Sequence, residues 1–159
     1  MDPTTIKLLT FTQLNENWRT IVVESIRSKE NFTELLDSLD ESNRKTILLS
    51  TSIKNGKTIA HYLAKYSTAT LFTELLEKNR EEITKLLEFR DIYGDLPIHY
   101  IVKNNEPINE VVGLMNKIIE LFPTHIIEKN GRKHQTLLQL AAANGKKNLY
   151  NYLAKGSTN

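Results

Sequence analysis

The chain has 159 residues, of which 40% are hydrophobic and 25% are charged, so it can form one domain with its own core and does not have the composition of a disordered chain. Its 21 basic and 19 acidic residues leave a net charge of +2, which excludes a strongly basic surface for nucleic acid. The absence of cysteine excludes disulfides and thiolate metal sites.

The N-terminal part is predicted to form a short leader and a helical cap. Trp18 and Ile21 lie on an apolar stripe at helical spacing, and we interpret them as core. A second amphipathic helix is predicted over 32–39, and a short helix with an acidic start over 40–49. Residues 1–5 lack the basic-then-apolar pattern of a signal peptide, and no apolar run approaches the ~20 residues that span a bilayer. We therefore expect no membrane insertion and a cytoplasmic location.

The next unit begins with a turn at Asn55 and Gly56. Thr58 is a suitable N-cap for an inner helix, and an outer helix is predicted over 69–78. Residues 79–87 start with acidic residues and carry an apolar face. They are predicted to form a further short helix.

The following unit has a turn at Gly94, and Pro97 suits the first turn of a second inner helix that is predicted to run to about Lys103. A long outer helix is predicted over 108–122, ending before a proline. Gly113 lies inside this helix, where we expect it to allow a close approach of another backbone.

The last unit begins with a turn at Asn130 and Gly131, followed by predicted helices over 137–144 and 146–155. Three apolar side chains of this unit are predicted to lack a following unit that would cover them, namely Leu138, Leu149 and Leu153.

These units recur with a nearly constant period. Thr58, Leu96 and Thr136 occupy the same place after the three turns and lie 38 and 40 residues apart. The sequence Phe-Thr-Glu-Leu-Leu at 32–36 occurs again at 72–76, 40 residues later. A period of this size predicts a solenoid of stacked helix pairs.

Residues 91–99, Asp-Ile-Tyr-Gly-Asp-Leu-Pro-Ile-His, resemble the start of an ankyrin repeat, and weaker forms occur at 55–64 and 135–145. The period is longer than the ~33 residues of that family. The resemblance implies an all-α, ankyrin-like solenoid of antiparallel helix pairs joined by hairpin turns, with a helical N-terminal cap. The expected single domain, 1–159, divides into a leader and cap, 1–52, and repeats over 53–90, 91–130 and 131–159.

The resemblance also implies roles for particular residues. His61 and His99 match the repeat histidine, which is expected to be buried, neutral and bonded to neighbouring turns. Partners of this family usually lie across the turn tips and the concave face of the inner helices. The matching positions are Lys54, Asn55, Lys57, Lys65, Tyr66, Ile92, Tyr93, Asp95, Lys103, Asn104, Arg132, Lys133 and Gln135, with Ala143 and Asn144 beside them.

Two of these residues stand out as anchors for a partner. Ile92 and Tyr93 lie at a turn tip, and aromatic anchors are enriched at interface hot spots. The alternative for Ile92, which we weigh equally, is packing against the neighbouring turn. Tyr62 and Tyr100, one residue after the histidine position, are interpreted as core.

The expected function is a non-catalytic module, monomeric, that binds another protein, because a stack of repeats offers a long surface and no enclosed pocket. No phosphate loop, nucleophile elbow or His-x-x-x-His pair occurs, so we expect no enzyme activity, cofactor, metal or nucleic acid. Alternatives are a substrate-targeting domain of a larger enzyme, a secreted bacterial effector acting in the host cytoplasm, and an enzyme with a site between helices.

Overall fold

A computed structural model describes residue 20 and residues 22–52, 55–104 and 107–157. Every regular element in these residues is a helix, as the sequence predicts. Residues 22–26 are helical. The helices that follow are α1 Lys29–Ser38, α2 Glu41–Leu49, α3 Ile59–Tyr66, α4 Ala69–Lys78, α5 Arg80–Leu86, α6 Pro97–Ile101, α7 Ile108–Leu121, a 3₁₀ helix Pro123–Ile126, α8 Leu137–Ala143 and α9 Lys147–Ser157. The predictions for the leader, Trp18, Ile21 and Lys54 lie outside the described residues.

Short polar side chains begin three of these helices, and the sequence predicts the cap at Thr58. The Thr58 hydroxyl accepts the backbone N–H of His61 at 3.4 Å, and Thr136 does the same for Gln139 at 3.4 Å. Asp40 caps α2 through the N–H of Asn43 at 2.7 Å. Each bond satisfies one of the free N–H groups of a helix start, which is worth about 1 kcal/mol.

Corresponding helices of successive units pack together. Helix α3 lies against α6, α4 against α7, and α2 against α5. Within units, α3 packs on α4, α6 on α7, and α8 on α9, while α9 also contacts α7. The two short helices α2 and α5 are formed by the residues that make the period long. Their apolar faces are buried, as Ile47, Leu48, Ile83 and Leu86 show.

The three turns that precede α3, α6 and α8 are built alike. In each turn, the backbone N–H of the first residue donates to the carbonyl of the residue that precedes the helix cap. The bonds are Ser52 to Lys57 at 2.8 Å, Asp91 to Asp95 at 3.0 Å, and Asn130 to Gln135 at 2.8 Å. Gly94 has a φ of +82°, a backbone conformation that glycine adopts without strain. In the third turn the matching residue is His134, at a φ of 51°.

Neighbouring turns are also bonded to one another. The N–H of Ile92 donates to the carbonyl of Asn55 at 2.9 Å, and the N–H of Gly131 donates to Asp95 Oδ1 at 2.8 Å. The backbones approach so closely here that a Cβ on Gly131 would lie 1.7 Å from the carbonyl oxygen of Tyr93. Only glycine fits at this contact.

His61 ties its inner helix to the second turn, and His99 ties its own to the residues that lead into the third turn, as the resemblance implies. The Nδ1 of His61 accepts the N–H of Thr58 at 3.1 Å, so its Nε2 carries the proton and donates to the carbonyl of Asp95 at 2.8 Å. His99 accepts from Leu96 at 3.0 Å and donates to Glu128 at 3.2 Å. Burial lowers the pKa of both rings, which keeps them neutral.

Several expectations are corrected. Helix α6 ends at Ile101 and not near Lys103, because residues 102–103 form a turn. Gly113 is exposed with open space beside it, so it serves no close approach. Leu149 and Leu153 are 3% and 1% exposed, because their own helix turns them toward α8 and α7 and not toward a following unit.

Within the described part of the chain, no helix has both the length and the apolar character that crossing a bilayer requires.

Candidate functional site

The three turns and the helices α3, α6 and α8 enclose a groove of about 670 Å³. Nine of the thirteen residues predicted to bind a partner line it, so the structure brings most of that set into one place. The lining residues are Asn55, Lys57, Lys65, Tyr93, Asp95, Tyr100, Lys103, Asn130, Arg132, Lys133, Gln135, Leu140, Ala143 and Asn144.

Three of the predicted residues lie outside the groove lining. Tyr66 packs along its own helix, where its ring stacks on that of Tyr62 with the centroids 6.2 Å apart. Asn104 donates to the carbonyl of Ser67 at 3.3 Å and links successive units. The side chain of Ile92 is 64% exposed. Its Cγ2 nevertheless lies beside the neighbouring turn, 3.4 Å from where a Cβ on Gly56 would be, and its N–H is bonded to that turn, so part of the side chain packs there as the alternative expects.

Two of the residues predicted to contact a partner, Lys57 and Asp95, are buried. They are only 4% and 7% exposed, so they form the base of the groove. Lys57 Nζ lies 2.6 Å from Asp91 Oδ2 and 2.8 Å from the hydroxyl of Tyr100. A charged amine is buried only when paired, and the partner comes from the next turn, 34 residues away.

The phenol of Tyr100 completes this polar network. It donates to Asp91, and its ring stands edge-on to the His61 ring at a centroid distance of 5.9 Å. Tyr100 is half-buried, whereas the sequence predicts a core residue at this position. Tyr62 is 1% exposed, which confirms the core assignment for that residue.

The charges of this network are held by burial and hydrogen bonds. Burial by itself raises the pKa of the Asp91 carboxyl, but bonds from Lys57 and Tyr100 outweigh it and hold that pKa below its ordinary value. Burial, followed by the bond to Asp91, raises the pKa of the Tyr100 phenol well above its ordinary value. Asp91 is therefore ionised and Tyr100 protonated at neutral pH.

Tyr93 lies between two cations at the rim of the groove. The Arg132 guanidinium carbon is 3.7 Å from the centroid of the Tyr93 ring, and Lys57 Nζ is 4.8 Å from it. Stacking of this kind holds a guanidinium in one orientation while its N–H edge remains available to a ligand.

Four cations of the groove are exposed, and none has a carboxylate within 4.0 Å among the described residues. They are Lys65, Lys103, Arg132 and Lys133. Asp95, the carboxylate in the lining, accepts the N–H of Gly131 at 2.8 Å, and its other oxygen lies 3.4 Å from the Tyr100 hydroxyl. The groove therefore presents donors and positive charge to any occupant.

Tyr100, Asn130 and Leu140 line the groove but were not among the predicted binding residues. The position of Asn130 could have been predicted from the sequence, because Asn-Gly marks a turn and all three turns reach the groove. That of Tyr100 could not, since the repeat pattern places a packed side chain one residue after the histidine. Within the described residues, no cluster of three or more His, Asp or Glu side chains is placed to hold a metal ion.

Comparison of the chain with protein-family models gives no match, and comparison with curated proteins gives none either.

Proposed function

We propose that this chain is an ankyrin-like solenoid that binds another protein in the groove and performs no catalysis. The recurrence of turn, cap and helix pair at Thr58, Leu96 and Thr136 supports the solenoid, because each unit buries its apolar side against the next. Cytoplasmic action belongs to the same proposal, since a chain without cysteine suits a reducing compartment.

The observation that carries the binding function is the composition of the groove. Turn tips and inner helices, which the resemblance implies as the binding surface, converge there with exposed side chains of Tyr93, Arg132 and Lys103. The most polar groups beneath them are already engaged with one another, as Lys57 is with Asp91. The base of the groove is therefore held in place before a partner arrives, which reduces the cost of ordering on binding.

Tyr93→Ala tests this function. The substitution removes an aromatic side chain that is 39% exposed at the rim of the groove. We expect the free energy of partner binding to weaken by about 1–3 kcal/mol, with little change in the thermal midpoint. The partner is first captured from cell lysate and identified by mass spectrometry, and its affinity is then measured with purified proteins by calorimetry.

Tyr150→Ala is the matched control, because Tyr150 is also 39% exposed but lies outside the groove lining. It should bind the partner as the unchanged protein does. Equal losses of folding and binding in Tyr93→Ala would assign Tyr93 to the core, and equal binding by all three proteins would show that the partner contacts another surface.

A further inference from the structure

We propose that the groove takes an acidic, extended segment of the partner protein, with one carboxylate held by Arg132. This inference rests on the proposed function and adds the chemistry of the partner to it. It comes from the distribution of charge, the spacing of the cations and the geometry of Arg132.

The groove concentrates the positive charge of the chain. Five cations line it, Lys57, Lys65, Lys103, Arg132 and Lys133, against the carboxylates of Asp95 in the lining and Asp91 beneath Lys57. Five minus two leaves +3, more than the +2 of the whole chain. The remaining surface is thus close to neutral, and a negatively charged partner is attracted to this face in particular.

The cations are spread along the groove. Lys65 is near the C-terminal end of α3, seven residues beyond the Thr58 cap, which is about 10 Å along a helix axis. Lys103 follows the end of α6, while Arg132 and Lys133 lie in the third turn at the opposite end of the inner helices. A single small anion cannot reach all of them, whereas a peptide with several carboxylates can.

Arg132 is the best-placed anchor. Its guanidinium carbon lies 3.7 Å from the centroid of the Tyr93 ring, a contact that orients the side chain before binding, so its N–H edge can hold a carboxylate through two bonds. Tyr93 and Tyr100 each also face Lys57 Nζ, at 4.8 Å. Because these ring faces are already taken by the protein's own cations, they offer no stacking platform for nucleobases.

The experiment selects peptides of about 12 residues from a random phage library on the intact protein, and measures the leading peptides by fluorescence anisotropy. We expect enrichment in Asp and Glu, and binding that weakens about tenfold between about 50 and about 300 mM NaCl. Lys103→Glu/Arg132→Glu should weaken it at least about tenfold, whereas Lys78→Glu/Lys85→Glu, which reverses charge outside the groove, should not.

Arg132→Lys tests the geometry separately from the charge. It keeps the positive charge but loses the planar fork, so we expect affinity for the leading peptide to fall about fivefold. Affinity equal to that of the unchanged protein would overturn the anchoring role of Arg132.

Other outcomes overturn the inference as a whole. The first is that the selected peptides show no enrichment in Asp and Glu, or that no selected peptide depends on the groove. The second is that the charge-reversal variant of the groove binds the leading peptide as the unchanged protein does. The third is that a fluorescein-labelled single-stranded RNA displaces the leading peptide. If the protein partner is lost from Tyr93→Ala but contacts the groove through a neutral segment, the acidic inference fails while the binding function stands. If the partner binds all groove variants equally, both fail.

Discussion

At the scale of single residues, Lys57 and Asp91 form a buried ion pair that joins the first two turns. Both side chains are almost fully removed from water, at 5% and 0% exposure. Asp91 Oδ1 also accepts the N–H groups of Tyr93 and Asp95, at 3.0 Å each, and so shapes the second turn. The same carboxylate therefore sets the turn geometry and neutralises the amine from the preceding turn.

Lys57→Met is expected to lower the free energy of unfolding by about 3 kcal/mol, because it leaves the Asp91 carboxylate buried without its counter-charge. Urea denaturation at pH 7 measures the loss. The double variant Lys57→Met/Asp91→Asn removes both charges and keeps an oxygen for the turn N–H groups, so it should recover much of the stability. If the double variant is no more stable than the single one, the unpaired Asp91 carboxylate is not the cause of the lost stability.

The buried histidines make stability depend on pH. Burial lowers the pKa of His61, His99 and His125 below the ordinary value of 6.5. The unfolded chain therefore binds more protons than the folded one as the pH falls below about 6.5. We expect the free energy of unfolding to be highest above that pH and to decline from pH 6.5 toward the folded-state pKa values.

His99→Gln tests whether His99 contributes to this pH dependence of stability. Gln139 occupies the corresponding position of the third unit, where its Oε1 accepts the N–H of Thr136 at 2.9 Å, so glutamine can keep the cap. Urea denaturation at pH 7.5, 6.5 and 5.5 should show a flatter pH dependence for the variant. An unchanged slope would exclude His99 as a contributor.

At the scale of elements, the spacing between turns depends on glycine at one point. Gly131→Ala would place a Cβ within 3 Å of Tyr93 and Gly94 backbone atoms, so one turn must move. We expect a loss of about 2–3 kcal/mol in the free energy of unfolding, measured by urea denaturation.

Gly113→Ala is the control for that substitution. Gly113 lies in the exposed face of α7 with nothing within 4 Å of an added Cβ. Alanine is favoured over glycine in helices, so a gain of about 0.5–1 kcal/mol is expected. A similar loss in both variants would refute the close turn contact as the reason.

At the scale of the whole molecule, stability should be greatest where a helix has packed neighbours on several sides. Helix α3 contacts α4, α5 and α6, and its residues 59–64 are all buried, whereas α9 contacts α8 and α7 and has exposed residues along its length. We expect amide protons of α3 to exchange more slowly than those of α9 by hydrogen-exchange mass spectrometry. Uniform protection of both helices would indicate one cooperative unit instead.

The helices and turns of this chain were predictable because short-range interactions determine them. Thr58 and Thr136 cap helices through N–H groups three residues away, and Ala69–Lys78 is helical over the range its apolar pattern predicts. The 3₁₀ helix at Pro123–Ile126 was not anticipated. It lies at a helix end, where sequence patterns are short and local geometry varies.

The sequence by itself determined an all-helical chain with turns at a nearly constant period, and it identified most residues that line the groove. Only the tertiary structure decided that Lys57 and Asp95 are buried while Ile92 remains exposed. The reason is that helix caps and turns depend on partners within a few residues, whereas the burial of a charge depends on a partner in another unit. Asp91 and Tyr100, 34 and 43 residues from Lys57, provide that partner.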